Sequence, residues 1–283
     1  MKLLSQIKGE LEFNRNLYSL VDALGKIAVS QYYVLEKKKT LFEKAFEGIV
    51  DILGMIDAQR SPSPFTNAVN APLGIIAVTS DSGLLGGLNA QVINLSIKEA
   101  ASRPSKLIIL GEKGRLYASE NNIPCVSFRG IADETSFSQA QSLRDYVMEE
   151  VLSQKIGALK IIYPHPVSVI SQRVQAITVL PLTKADGIAK FKESPAGSAG
   201  PIIESDIDDI LAYIARIYLG NKFSEIFGLS RLSEMSARFT HLENSKAKIE
   251  QLNKQMRLQY FRQRHELADR NLRELFAARL TFK

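Results

Sequence analysis

The chain has 283 residues, 45% of them hydrophobic and 23% charged, with a formal net charge of +6; that balance excludes a disordered chain and supplies core for one or two domains. No apolar stretch reaches the roughly 18 residues that a membrane-spanning helix needs. One cysteine rules out an intrachain disulfide, and three histidines leave little material for a transition-metal centre.

The opening MKLLSQIKGELEFNRN has no apolar centre or small-residue cleavage site, so no signal peptide is expected. Instead a helical stripe begins at once. Leu4, Ile7, Leu11, Asn14, Tyr18, Val21, Leu24, Ala28, Tyr32 and Leu35 step by three or four, and Lys39, Phe42, Phe46, Ile49, Leu53 and Ile56 continue it. No proline precedes Pro62. A stripe held for that many heptads predicts a coiled-coil seam rather than an ordinary surface helix. About 57 residues give a rod of roughly 85 Å, which needs a second helix to cover it.

RSPSP at 60–64 is a proline-punctuated linker. Short β-type runs follow at Gly74–Thr79, Lys106–Leu110, Cys125–Phe128, Leu159–Tyr163 and Gln175–Leu180. Helical runs at Ala90–Ser102, Gly114–Asn121 and Ser138–Lys155 separate the earlier ones. That alternation predicts a small Rossmann-like α/β domain with a mostly parallel sheet. The last two runs have no helix between them, which predicts an antiparallel edge pair. ESPAGSAGP at 193–201 reads as a loop, and Ser205 with Asp208 as a capping box that opens a short helix.

A second long stripe follows: Phe223, Ile226, Leu232, Met235, Phe239, Leu242, Lys246, Ile249, Leu252, Met256 and Tyr260. Beyond Tyr260 the seam degrades, its next stations being Gln263, Leu267, Arg270 and Glu274, so the last 20 or so residues should stand alone. Residues 251–283 carry eight Lys/Arg against three acids, nearly the whole positive excess of the chain. Such a segment wants an anionic partner, and an acidic protein surface fits better than nucleic acid, since no nucleic-acid module is visible. Three domains result: 1–59, a coiled-coil helix; 60–202, the α/β domain; 203–283, a short helix and a long helix with a protruding basic tip.

The stretch SDSGLLGGLN at 80–89 invites a phosphate-binding reading, because it joins a strand to a helix. Its glycines, Gly83, Gly86 and Gly87, match neither GxGxxG nor the P-loop pattern. A tight structural turn is the reading; an anion site at the helix start is the alternative. Gly111 and Gly114 read as a plain turn. The acids Glu204, Asp206, Asp208 and Asp209 read as helix-start residues rather than a cation site. His165, His241 and His265 lack a nucleophile and an orienting group, and Cys125 reads as a small buried hydrophobe. No catalytic residue, metal or cofactor is expected.

Five stretches in order resemble the gamma subunit family of F-type ATP synthases. TSDSGLLGGLN at 79–89 is similar to that family's SDRGLCGGLN turn, with Ser82 and Leu85 in place of Arg and Cys. LGEKGR at 110–115 resembles its GxKG strand end. IIYPHPVSVISQRVQAITVLPL at 161–182 matches through Tyr163, Ser168, Gln172, Leu180 and Pro181. SEMSARF at 233–239 resembles SExxARM, and LQYFRQRHELADRNLREL at 258–275 resembles LxYNxxRQxxITxELxEI. Departures mark a divergent member: Phe261 for Asn, His265 for Gln, Asp269 near the usual Thr, and Leu24 for Met. Glu204-Ser205 replaces Glu-Pro. No two-cysteine insert is present, so thiol control is not expected.

The resemblance implies a central-stalk rotor: an antiparallel coiled coil of the two long helices inside an alpha3/beta3 hexamer, with the α/β domain docked on an epsilon subunit and a membrane c-ring. It implies hexamer contacts at Leu24, Arg238, Lys254, Arg257, Arg262, Arg264, His265 and Asp269, and a structural turn at Gly83, Gly86 and Gly87. It places Leu24 opposite Arg238, and hence Leu3 near Gln259. The chain would sit on the inner face of an energy-transducing membrane without entering it, and bind no nucleic acid. The rival readings are a coiled-coil adaptor or nucleic-acid binder, and a free-standing nucleotide-binding α/β enzyme.

Overall fold

The computed structural model describes residues 4–55, 63–67, 69–182 and 206–281, with side chains described outside 38–55 and 279–281. The loop at 193–201, the Glu204–Ser205 pair and most of the 60–64 linker lie outside the described residues, as do the side chains of the seam from Lys39 to Ile56. In chain order the elements are α1 (Leu4–Met55), β1 (Leu73–Val78), α2 (Leu88–Ala100), β2 (Ser105–Leu110) and α3 (Glu112–Glu120). Then come β3 (Cys125–Phe128), α4 (Ser136–Leu152), β4 (Ala158–Ser168), β5 (Ser171–Leu180) and α5 (Ile207–Thr281). The chain divides into two compact units: Met1–Ala28 with Phe239–Lys283, and Val29–Arg238.

In the first unit α1 and α5 pair. Ile7, Asn14, Val21 and Ala28 are buried at intervals of seven, against Leu242 and Met256 from α5. The helices run antiparallel. Asn14 Nδ2 donates to Met256 Sδ at 3.4 Å. Lys246 Nζ reaches Asp22 Oδ1 at 2.9 Å. Gly25 faces the Glu243 carboxylate. Leu24 therefore lies at the Glu243 turn, about one heptad further along α5 than the resemblance implies. The reason is physical: a heptad seam keeps its apolar phase after a slip of seven residues, so the stripe alone does not fix register. The Asn14 layer and the Asp22–Lys246 pair do.

The second unit holds a sheet in the order β3-β2-β1-β4-β5. β1 pairs parallel with β2 and β4, β2 pairs parallel with β3, and β4 pairs antiparallel with β5. Every β1 residue is buried, because helices cover both faces. The period of two sorts its side chains. Ile76 and Val78 join a core with Leu143 and Val147 of α4 and Leu211, Ile214, Tyr218 and Phe223 of α5. Leu73, Ile75 and Ala77 join the opposite core with Val92 and Ile93 of α2. β4 runs five residues past the expected end at Tyr163, through two prolines. Pairing with β1 ends at Ile162, so Pro164 and Pro166 stand where only β5 is a partner and a missing N–H is tolerated.

α5 is one unbroken helix of 75 residues, not a short helix followed by a long one. Its buried face, Leu211, Ile214, Ala215, Tyr218, Leu219, Phe223 and Ile226, keeps helical spacing across Gly220. That continuous burial outweighs the roughly 1 kcal/mol a mid-helix glycine costs. The Asp206 carboxylate accepts the Asp208 N–H at 3.1 Å, capping the start.

Candidate functional site

The glycine turn follows β1 at the point where chain order reverses, between β1 and β4, the usual ligand crevice of an open parallel sheet. Here the chain covers it itself. Leu85 and Leu88 are buried in one cluster with Ala237 of α5, against Val174 of β5. Arg238 Nη2 donates to Ser82 Oγ at 2.7 Å. Side-chain bonds hold the rest of the turn. Asn89 Oδ1 accepts the Ser80 N–H at 3.1 Å, and Asp81 Oδ1 accepts the N–H groups of Glu112 at 2.7 Å and Gly130 at 3.1 Å.

The glycines divide by role. Gly86 has a φ of 59° and Leu84 one of 64°, so the turn's left-handed steps fall on these two residues. Gly83 and Gly87 have room for a side chain. Around Thr79 the close approaches belong to Gly111, against its backbone, and Gly114, against its side chain. Gly111 has a φ of 100°, and a Cβ there would strike the Thr79 carbonyl. Thr79 Oγ1 donates to Leu110 O and accepts the Gly114 N–H at 3.1 Å. The sequence reading gave Gly111 and Gly114 less weight than this geometry warrants, because a two-glycine turn carries no pattern of its own.

Beside the turn lies a charged cluster that sequence reasoning missed. Arg231 bridges Asp133, at 2.8 Å and 3.1 Å, and Glu234, at 2.8 Å. Glu234 is 3% exposed. Burial pushes its carboxyl up to about 7, against the pull of Arg231 and then Arg238. Burial also lowers the Arg238 guanidinium. The signal was present in the sequence as basic, acidic and basic residues at 231, 234 and 238, one helical face. Ser236 Oγ donates to Ser168 O at 2.9 Å, tying α5 to the β4–β5 hairpin.

In the first unit, Lys254, Arg257, Arg262, Arg264, His265 and Asp269 are all exposed, and Leu24 is half-buried. Among the described residues Tyr260 and Gln263 are the last half-buried ones of α5; every residue from 264 to 278 is exposed. That bare segment carries large apolar side chains, Leu267, Leu272, Leu275 and Phe276, among its basic ones. On α1, Phe13, Leu20 and Ile27 recur every seven residues and are 65%, 57% and 52% exposed. An apolar stripe at heptad spacing left exposed among the described residues is the mark of a helix made to be enclosed. Lower down, Lys246 is clamped between Glu243 and Asp22, which in that order raise its pKa. Asp22 is held below the usual carboxylate range by Lys26 and then by Lys246.

A pair of long helices with an uncovered basic tip, together with an α/β domain whose switch-point crevice is self-occupied, defines a helical-shaft protein. The ATP synthase family profile (ATP-synt) matches residues 3–278, and the chain belongs to that family. The chain is 24% identical over 279 residues to the ATP synthase gamma chain of Clostridium beijerinckii, covering 96% of this chain and 95% of that one. It is 25% identical over 289 residues to the ATP synthase gamma chain of Staphylococcus haemolyticus, covering 97% of each. Among solved structures, its fold is like a chain of the Euglena gracilis mitochondrial ATP synthase OSCP/F1/c-ring assembly. That match has a TM-score of 0.70 at 15% identity, covering 99% of this chain and 94% of that one. A chain of the Tetrahymena thermophila central stalk/c-ring matches with a TM-score of 0.60 at 20% identity, covering 80% and 99%.

Proposed function

We propose that this chain is the central-stalk rotor of an F-type ATP synthase, turning inside a hexamer of alternating alpha and beta subunits. The observation that carries this is the family match along nearly the whole length, joined to a long helix whose described residues from 264 to 278 are all exposed. An asymmetric shaft would hold the three catalytic sites of the hexamer in different conformations, and its rotation would exchange their affinities. That is a coupling free energy between distant sites, carried by a rigid element. A paired rod suits the task because it resists twisting and bending better than one helix.

In this reading the exposed stripe of Phe13, Leu20 and Ile27 runs against the hexamer lining. Lys254, Arg257, Arg262, Arg264, His265 and Asp269 meet acidic loops of the beta subunits. Leu24 and Arg238 join them lower on the shaft, Arg238 while also holding Ser82. Residues 1–59 and 203–283 supply the shaft. Residues 60–202 supply the foot, which docks on the epsilon subunit and the c-ring at the inner face of the membrane. Among the described residues no helix is long and apolar enough to cross a membrane, so attachment would run through those partners. Gly83, Gly86 and Gly87 serve the turn, and catalysis belongs to the hexamer.

The test is co-purification with the cognate alpha and beta subunits, followed by ATPase assay with and without this chain. One copy per three alpha–beta pairs, with raised ATPase, supports the rotor. An isolated chain that ignores the hexamer and binds nucleotide or nucleic acid instead would replace it with one of the rival readings.

A further inference from the structure

Within the unit of residues 1–28 and 239–283, a polar layer crosses the seam between α1 and α5. Lys246 holds a station of the apolar stripe of α5, yet it is a cation. Its amine lies between two α1 residues one turn apart: Asp22, whose Oδ1 is 2.9 Å away, and Tyr18, whose ring centroid is 5.9 Å away. The Tyr18 hydroxyl donates to Glu250, a further tie from α1 to α5. Apolar packing is thin around this layer. Among the described residues, the buried stations of α1 between Ile7 and Ala28 are Asn14, an amide, and Val21. Gly25, which has no side chain, faces the Glu243 carboxylate. A slip of one heptad would keep the phase of the stripe but not its charges. It would set Lys246 against Leu11 and Arg15 in one direction, and against Gly25 and Val29 in the other. The first brings like charges together, and neither pair offers a carboxylate.

We propose that Lys246, seated between Tyr18 and Asp22, is a cross-tie that locks the two helices in one register and resists shear between them when the shaft is loaded. The register lock stands on the geometry alone; the load rests on the rotor reading. Bending a two-stranded rod slides one strand past the other. A bare apolar seam is indifferent to a slip of seven and yields to that shear, whereas a charge at a seam station admits one register. The partners divide by what they can hold. Glu243 lies 2.8 Å from the same amine, but it shares α5 with Lys246 and travels with it in any slip. Lys26 likewise travels with Asp22, its 2.7 Å partner on α1. Asp22 and Tyr18, reached across the seam, carry the lock. Lys246 is thus a positioning residue, acting through the placement of α1 on α5.

The experiment uses the full chain with Cys125→Ser and spin labels at Ser5→Cys on α1 and Lys248→Cys on α5, both exposed positions of this unit. Pulsed electron paramagnetic resonance reads the distance between the labels. With Lys246 in place it gives one narrow distance. Lys246→Leu keeps the helix content and adds a second population, displaced by up to about 10 Å, the rise of seven helical residues. Asp22→Ala, which removes the tie from the other helix, serves where the leucine variant does not fold and gives the same second population. Lys246→Arg keeps the single distance, and so does Lys26→Leu, whose pair lies within α1. A single unshifted distance in the folded tie-removing variant overturns the lock, whatever becomes of the rotor reading. In the complex with alpha and beta subunits, the same variant should still hydrolyse ATP while its torque on a loaded bead falls at least about twofold. Unchanged torque overturns the load-bearing role. An unaltered chain that never turns overturns the rotor reading and leaves the register result standing.

Discussion

Glu234→Gln is the substitution through which the charged seat of α5 speaks most clearly. Gln keeps the size of the side chain and still accepts a hydrogen bond from Arg231 Nη1, now 2.8 Å from the carboxylate, but it cannot ionise. In the folded chain the Glu234 carboxyl sits at about 7, against an ordinary value of 4.5. A carboxyl raised on folding contributes stability that is fully present below its unfolded value and is lost as pH rises through its folded value. At 1.36 kcal/mol per unit, the wild-type chain gives up about 3 kcal/mol from this group between pH 4.5 and 8. The variant gives up nothing there. Denaturant unfolding of both chains, with hydrogen exchange read over residues 229–238, should show the variant gaining on the wild type as pH rises through 7. Parallel pH profiles would refute the reasoning: Glu234 would then be solvated and Arg231 an ordinary surface partner.

Other outcomes follow from the same geometry. Asn14→Leu replaces a buried amide in the seam and should raise stability by about 1 kcal/mol or more, read as a higher thermal midpoint. Gly111→Ala should cost at least about 2 kcal/mol, since φ is 100° and the Thr79 carbonyl blocks the new methyl. Gly83→Ala, with open space and no left-handed φ, should stay within about 0.5 kcal/mol in the same assay. Deleting everything after Gln263 removes only exposed helix up to residue 278. The free chain's melting midpoint should therefore move by less than about 2 °C, while the ATPase of the assembled complex falls several-fold.

Much of the fold was legible because it rests on local period. The run Gly74–Thr79 and the helical pattern Ala90–Ser102 differ from the observed β1 and α2 by no more than two residues at any end, and the unlinked last two strands do form the antiparallel pair. What escaped the sequence needs distance information. A heptad stripe is indifferent to a slip of seven, so it takes the Asn14–Met256 and Asp22–Lys246 contacts to show where Leu24 lies. Two prolines hide the far half of β4, because their tolerance depends on where β1 stops. Gly83 and Gly87 drew attention by their spacing and have room for a side chain, whereas Gly111 has a carbonyl in its way. Glu234 is ordinary in sequence; only the packing around it lifts its carboxyl.

Observing rotation tests the central claim most directly. With Cys125→Ser and a single exposed handle at Lys113→Cys, a bead is fixed to this chain while the alpha–beta hexamer is held on glass and given ATP. The rotor account predicts one-way turning in three equal steps per revolution, one for each alpha–beta pair, stopping when ATP is withdrawn. A hexamer that hydrolyses ATP with this chain stably bound and the bead only jittering about one position would contradict it.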